Sequence, residues 1–369
     1  MNVPQQTRQA GMAPVSASTS ARIRISRSAC IFFMLFAHVS IGVSHLAIFA
    51  SPATPEKIQY LLLSSVLGHA SVPLLTVVSG YLLASGRAKT YGLLVTSKFR
   101  SLLLPMMLWS LVSIIVLLAV QSYTGTSLYR PATVLDVINS VVALTSSPAN
   151  YPLRFLRDLF VCMLVAPLLI RLSPRYGWPV LAILVVAALL DRTWPLFLRP
   201  QLPLFFFMGI MLAHRSIAWV DRFRVVWFAG AIALTLVRVT AYQYVYELPP
   251  LLDIVMRLFV AAAFWCLTRL VSERAYRAFK EVEPAVFLAF CSHTLTYGLL
   301  AMVATPFLGR FGDPLFPLYL VLQPIIALCL AYIAWRWFSW LPGFALFNAG
   351  KEGGSAKARA TRVEVSSAI

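Results

Sequence analysis

Carboxylates are scarce in this chain. Its 369 residues include 13 Asp and Glu against 31 Lys and Arg, and charged residues of both signs make up only 12% of the total. So little charge cannot clothe the surface of a soluble protein of this size. Cysteine is also sparse: Cys30, Cys162, Cys266, Cys291 and Cys329 all sit inside apolar runs without paired or metal-ligand spacing. That pattern excludes a disulfide framework and a zinc site, and no metal is expected; the cysteines read as small buried hydrophobes. Missing too are a Gly-rich phosphate loop at a strand-helix junction, a metal-spaced His/Cys set and a Gly-x-Ser-x-Gly elbow. The nucleotide-binding and hydrolase machinery of soluble enzymes is thereby removed, and no bound cofactor is expected.

What fills the space is hydrocarbon. Hydrophobic residues make up 60% of the chain and the mean hydropathy is +0.79. They gather into runs of about 20 residues, long enough to cross a bilayer, with the basic residues in the short segments between them. The expected fold is all-α, a polytopic membrane protein with about ten transmembrane helices near residues 28–49, 63–84, 101–121, 153–172, 177–191, 196–214, 225–246, 251–271, 284–305 and 315–338. The fifth and sixth are the weakest, because their apolar cores, Trp178 to Leu190 and Leu202 to Ala213, are shorter than a normal span. Residues 1–21 and 346–369 read as disordered polar and basic tails around a membrane domain at 22–345.

A net charge of +18 invites a nucleic-acid reading, yet the cations lie in loops and not on one amphipathic face. Alternate connections sort by charge. Arg22, Arg24 and Arg27 fall on one side with Arg87, Lys89, Lys98, Arg100, Arg171, Arg175, Arg215, Arg222, Arg224, Arg274, Arg277, Lys280 and the basic tail. The other side offers chiefly Lys57, Arg130, Arg192, Arg199 and Arg310. By the positive-inside rule the first side is cytoplasmic, and both termini lie there. The longest outer connection, Gln121 to Pro152, contains "ATVLDVINSVVAL", whose apolar spacing predicts a short helix at the interface that roofs an outward cavity.

Two polar residues interrupt the first apolar run. Arg27 and His38 are eleven positions apart, which at about 100° per residue returns to within roughly 20° of one face and at 1.5 Å per residue puts His38 about 16 Å deeper. His45 continues that stripe. An ionisable ring in mid-membrane is expensive and marks a site or a pathway, and imidazole takes up and returns a proton near neutral pH. Arg27 by itself also suits a snorkelling anchor.

On these residues the chain resembles the acyltransferase 3 family of integral membrane enzymes that acylate glycans. The Arg, ten residues, His pattern matches the family's first span, and "SVPLLTVVSGYLLA" at 71–84 resembles its second. "SKFRSLLLPMMLW" resembles the basic-then-proline entry to the third, and "YPLRFLRDLFVCMLVAPLL" at 151–169 the entry to the fourth, where Arg154 stands in place of the usual Trp. Within the family, the exopolysaccharide or O-antigen succinyl- and acetyltransferases are the most similar. The resemblance implies an acyl-CoA donor on the cytoplasmic side, a hydroxyl of a glycan or lipid-linked sugar on the outward side, and a cell (inner) membrane location. In that reading His38 is the general base, or alternatively a transient acyl carrier, and Arg27 holds the donor.

Further polar residues supplement the pair. His293 lies about 15 Å from Pro284 along its run, near the depth of His38. His69 and Ser79 share the second segment, where Gly68 and Pro73 interrupt the helix; Ser79 and Gly80 also suit close helix packing. Arg154, Arg157 and Asp158 open the fourth span, Arg238 lies deep in the seventh, and Asp253 and Arg257 sit four apart in the eighth. Such charges either tie helices together or, with arginine in surplus, receive an anionic acceptor such as a pyrophosphate-linked or acidic glycan. The rival to an enzyme is a multi-pass transporter or flippase for a glycan or small anionic solute, since intramembrane Arg, Asp and His also mark transport routes.

Overall fold

The computed structural model describes residues 16–86, 90–242, 244–341 and 343–348; Arg87, Lys89 and most of both predicted tails lie outside them. Among the described residues there is no strand. Ten principal helices are α1 (Ala17–Phe36), α2 (Pro55–Ser85), α3 (Tyr91–Thr124), α4 (Val134–Val142) and α5 (Arg154–Leu189), then α6 (Leu202–Ala213), α7 (Ile217–Ala241), α8 (Pro250–Leu270), α9 (Glu273–Val303) and α10 (Phe316–Phe338). Of these, α2, α3, α7, α8, α9 and α10 are long and apolar enough to cross a membrane, and α6 is apolar but short. Large apolar side chains such as Ile115, Val225, Ile232 and Leu236 face outward, as a lipid-facing surface requires.

Two boundaries differ from the sequence reading. The first helix begins at Ala17, where the Ser16 hydroxyl accepts from the Thr19 N–H, so residues 17–21 of the segment read as a tail belong to it. It also ends at Phe36, thirteen residues short of the expected 49. The next residues alternate, with Val39 and Ile41 buried, and turn at Gly42, whose φ of +70° suits glycine. A short helix, His45–Ala50, then starts on the Ser44 cap. His45 therefore reaches the cavity lined by His38 from a separate short helix and not along one helical stripe.

The predicted fourth and fifth spans are the two arms of α5. Tyr176 has non-helical angles, φ −118° and ψ 19°, and prolines 167, 174 and 179 surround it. A straight helix of 36 residues would be about 54 Å long, and the nine residues from Leu189 to Leu198 reach back only about 30 Å. Yet Asp158, near the start of α5, accepts hydrogen bonds from the N–H groups of Leu198 and Arg199 at 3.1 and 2.9 Å. The helix must double back at Tyr176. Helix α6 then returns, so that the Ser173 hydroxyl meets His214 Nε2 at 2.7 Å.

Glycine lets α2 and α6 cross backbone to backbone. A methyl group on Gly80 would lie 2.1 Å from the Phe206 carbonyl oxygen, and one on Gly209 would lie 2.0 Å from that of Val77. Close packing, one of the two roles open to this segment, is thus the role of Gly80. At the other end of the bundle, Arg22 binds both carboxylate oxygens of Asp221 at 2.6 and 2.9 Å and stacks on Trp265, joining α1 to α7 and α8. Gly80→Leu is expected to force α2 and α6 apart and lower stability by at least about 1–3 kcal/mol, seen as a reduced midpoint of thermal unfolding in detergent.

Candidate active site

Two cavities lie along α1. One, of about 590 Å³, is lined by His38 and Met34 together with His69, Tyr151, Arg154, Arg199, Arg238, Asp253 and Arg257. The other, of about 700 Å³, is lined by Arg27, Ser28 and Ile31 with Ser79, Lys98, Arg171, Glu283 and a wall of Leu82, Leu102, Met163 and Phe287. Both have the size of small-molecule sites. They share no lining residue, and only the turn of α1 between Ile31 and Met34, about 5 Å of rise, separates them along the helix.

The geometry at His38 follows from the end of α1. The last helical carbonyls and the chain beyond have lost their i→i+4 partners, and other helices supply new ones. The Leu35 carbonyl accepts from the His38 N–H and from the Tyr297 hydroxyl, the latter at 3.2 Å. Gln323 of α10, fully buried, accepts from the Ser40 N–H at 2.7 Å and donates to the Ser40 carbonyl at 2.9 Å. On the opposite flank Gly68 lets α2 approach so closely that a methyl group there would lie 3.0 Å from the Ala37 nitrogen. The expected interruption of α2 takes the form of a π-helical stretch, Leu61–Gly68, and Pro73 stays within the helix that follows. Lys57, fully buried, donates to the Phe49 and Ser51 carbonyls at 2.9 and 2.6 Å, holding the segment that follows His38 against α2.

His293 is the nearest aromatic partner of His38, with ring centroids 5.3 Å apart. Its Nδ1 lies 2.6 Å from the Phe290 carbonyl, which assigns the proton to Nδ1 and leaves Nε2 buried without a partner. The ring stacks on Phe290 and meets Tyr297 edge-on. His293 therefore stands behind His38 and does not line the cavity. Asn150 braces this wall, donating to the Cys291 carbonyl and accepting from the Thr294 hydroxyl.

The other predicted positions divide. Arg27 and His38 line different cavities, so the one helix face implied by their spacing does not become one site. Ser79 lines the Arg27 cavity, its hydroxyl bonded to the Leu75 carbonyl. Arg238 and Arg257 line the His38 cavity. The first donates to the Tyr246 carbonyl and stacks on Tyr242; the second pairs with Asp253 at 2.7 Å. Arg157 and Asp158 line neither. Arg157 donates to the carbonyls of Ala143, Leu144, Pro195 and Leu196 and to Asp158, whose remaining capacity is taken by the Leu198 and Arg199 N–H groups. This pair is a latch that fixes the loop before α6. The predicted interface helix exists as α4, with Thr133 and Asp136 in a capping box, but none of its residues lines the His38 cavity and it is no roof.

Sequence reasoning passed over Gln323 and Arg199. Gln323 carried a signal, a lone amide in "LYLVLQPIIALCL". Arg199 was counted only as a loop cation, because nothing local reveals that Asp158 folds its loop inward.

Residues 21–342 match the acyltransferase 3 family, described as an acyltransferase domain. The chain belongs to the acyltransferase 3 family. It is a multi-pass membrane O-acyltransferase, and the transporter alternative gives way. The succinoglycan biosynthesis protein ExoH of Rhizobium meliloti (strain 1021) is 30% identical over 329 residues, 86% of this chain and 88% of that protein. No solved structure matches. For this acyltransferase the latch carries a direct test. Arg157→Ala leaves Asp158 buried and short of its charge partner, which costs about 3–5 kcal/mol. The variant is expected to lose thermal stability, seen as a lower midpoint of thermal unfolding in detergent.

Proposed function

We propose that the protein moves an acyl group, acetyl or succinyl, from acyl-CoA in the Arg27 cavity to a hydroxyl of a polysaccharide or its lipid-linked precursor in the His38 cavity. The observation that carries this reading is that α1 carries a guanidinium into one cavity and the chain just past its end carries an imidazole into the other, with a single turn of α1, Ile31 to Met34, between the two linings. In this reading the Arg27 cavity opens to the cytoplasm, the His38 cavity opens outward, and about ten crossings in the inner membrane place both termini in the cytoplasm. The sorting of Lys and Arg between alternate connections supports that direction. A relative named for succinoglycan biosynthesis supports a glycan acceptor.

The Arg27 cavity suits the donor. Arg27, Lys98 and Arg171 offer charge to the CoA phosphates, and the wall of Leu82, Leu102, Met163 and Phe287 suits an apolar arm leading inward. The thioester then has to pass Met34 to reach His38. There the imidazole takes the proton of the acceptor hydroxyl as its oxygen attacks the thioester carbonyl. The tetrahedral adduct collapses with loss of the C–S bond, and the departing thiolate recovers the proton from the imidazolium. Base catalysis is preferred to an acyl-histidine carrier because the partnerless Nε2 of His293, in the neighbouring ring, can accept a hydrogen bond from a charged His38.

Kinetics in nanodiscs separate the two roles. His38→Ala is expected to lower kcat by about 10²–10⁴-fold with the KM for acyl-CoA little changed. Arg27→Ala is expected to raise that KM by about tenfold with a smaller effect on kcat. Near-normal turnover by the first variant removes the base, and an unchanged KM in the second removes the donor site.

A further inference from the structure

Four arginines line the His38 cavity, Arg154, Arg199, Arg238 and Arg257, against two carboxylates, Glu247 and Asp253. Among the described residues, Arg257 alone of the four has an ion-pair partner, Asp253, which also accepts from Gln201. Asp158 lies close by, but it is in ion-pair contact with Arg157 and not with Arg154 or Arg199, and it also accepts from the two N–H groups of the loop. Arg154 and Arg199 thus make no ion pair among the described residues, and the Nε of each is buried without a hydrogen-bond partner.

Their placement is built. Arg154 opens α5 and lies over the Tyr151 ring at 3.9 Å, which fixes its plane. Arg199 reaches the same cavity because the Arg157–Asp158 latch grips residues 195–199 from both sides, through the carbonyls of Pro195 and Leu196 and the N–H groups of Leu198 and Arg199. Two like charges are therefore held in one low-dielectric cavity by a dedicated set of hydrogen bonds. With no carboxylate in ion-pair contact with either, the surplus of positive charge opposes folding.

We propose that Arg154 and Arg199 form an anion site in the His38 cavity that receives an oxyanion of the acceptor, a phosphate ester or a sugar carboxylate, and so places its hydroxyl beside His38. This rests on the reading of that cavity as the acceptor's. Guanidinium forks bind either oxyanion through paired N–H bonds. The site gives the enzyme a handle on the acceptor separate from the hydroxyl it acylates. A neutral sugar of the same shape lacks that handle.

Binding, measured without turnover, tests the site. The full chain in nanodiscs is saturated with CoA to fill the Arg27 cavity and titrated by calorimetry with inorganic pyrophosphate, with glucuronate and with glucose. Pyrophosphate or glucuronate is expected to bind and glucose to fail; whichever anion binds more tightly identifies the acceptor's group as phosphate or carboxylate. Arg199→Gln and Arg154→Gln are each expected to weaken that binding by about tenfold or more. Arg199→Lys, which keeps the charge and guards against misfolding, is expected to retain part of it, and Arg27→Gln all of it. Binding of neither anion, binding unchanged in both glutamine variants, or binding lost in Arg27→Gln alone overturns the proposal. So does a requirement for Arg199 that follows a carboxylate on the donor, seen as succinyl-CoA transfer losing far more than acetyl-CoA transfer in Arg199→Gln. Because CoA and the anions undergo no reaction here, a null result leaves the assignment of His38 standing, and inactivity of a His38 variant leaves the anion site standing.

Discussion

A chain that stops being helical inside a bilayer must find new partners for every N–H and carbonyl it releases, since lipid supplies none. The structure meets that constraint at residues 37–40. Tyr297 of α9 and Gln323 of α10 bond the backbone that α1 sets free, and Gly68 brings α2 against Ala37. Three helices thus converge on one broken end, and the side chain presented there is His38. A continuous helix would have needed none of these contacts and would have buried the imidazole in a groove between neighbours. The break gives the ring a cavity.

The same break divides the molecule's chemistry. Below it α1 is regular and carries Arg27 into a cavity with an apolar wall and three cations; above it the cavity is polar and crowded with arginine. Coulomb interactions reach further in such low-dielectric surroundings than in water, so the surplus of positive charge in each cavity governs which ligands enter. Met34 and Ile31 form the partition. In the proposed transfer only the small reactive end of the donor passes it, and the charged bulk of each substrate stays on its own side.

Much of this was legible in the sequence. Runs of apolar residues fix the helices, and the eleven-residue interval between Arg27 and His38 singles out two positions that each line a cavity, because ionisable groups are costly in hydrocarbon whatever the helix does next. Depth counting also brought His293 beside His38. What was not legible is where a helix ends under tertiary control. The run from Arg27 to Ala50 has no proline and reads as one span, yet partners distant in sequence, Gln323 and Tyr297, favour an early stop at Phe36. Arg157 misled for a related reason: its charge suggested a ligand, but backbone carbonyls of two loops and the neighbouring Asp158 take its hydrogen bonds. Charge at a given depth can be read from sequence, whereas the identity of its partner cannot.

The central claim is that donor and acceptor occupy opposite cavities and meet at His38. Its most direct test is a structure with a hydrolysis-resistant acyl-CoA thioether. The account predicts phosphates beside Arg27, Lys98 and Arg171, with the acyl end past Met34 and in contact with the His38 ring. Phosphates bound instead among Arg154, Arg199 and Arg238, or an acyl chain that leaves the Arg27 cavity toward lipid, would contradict it.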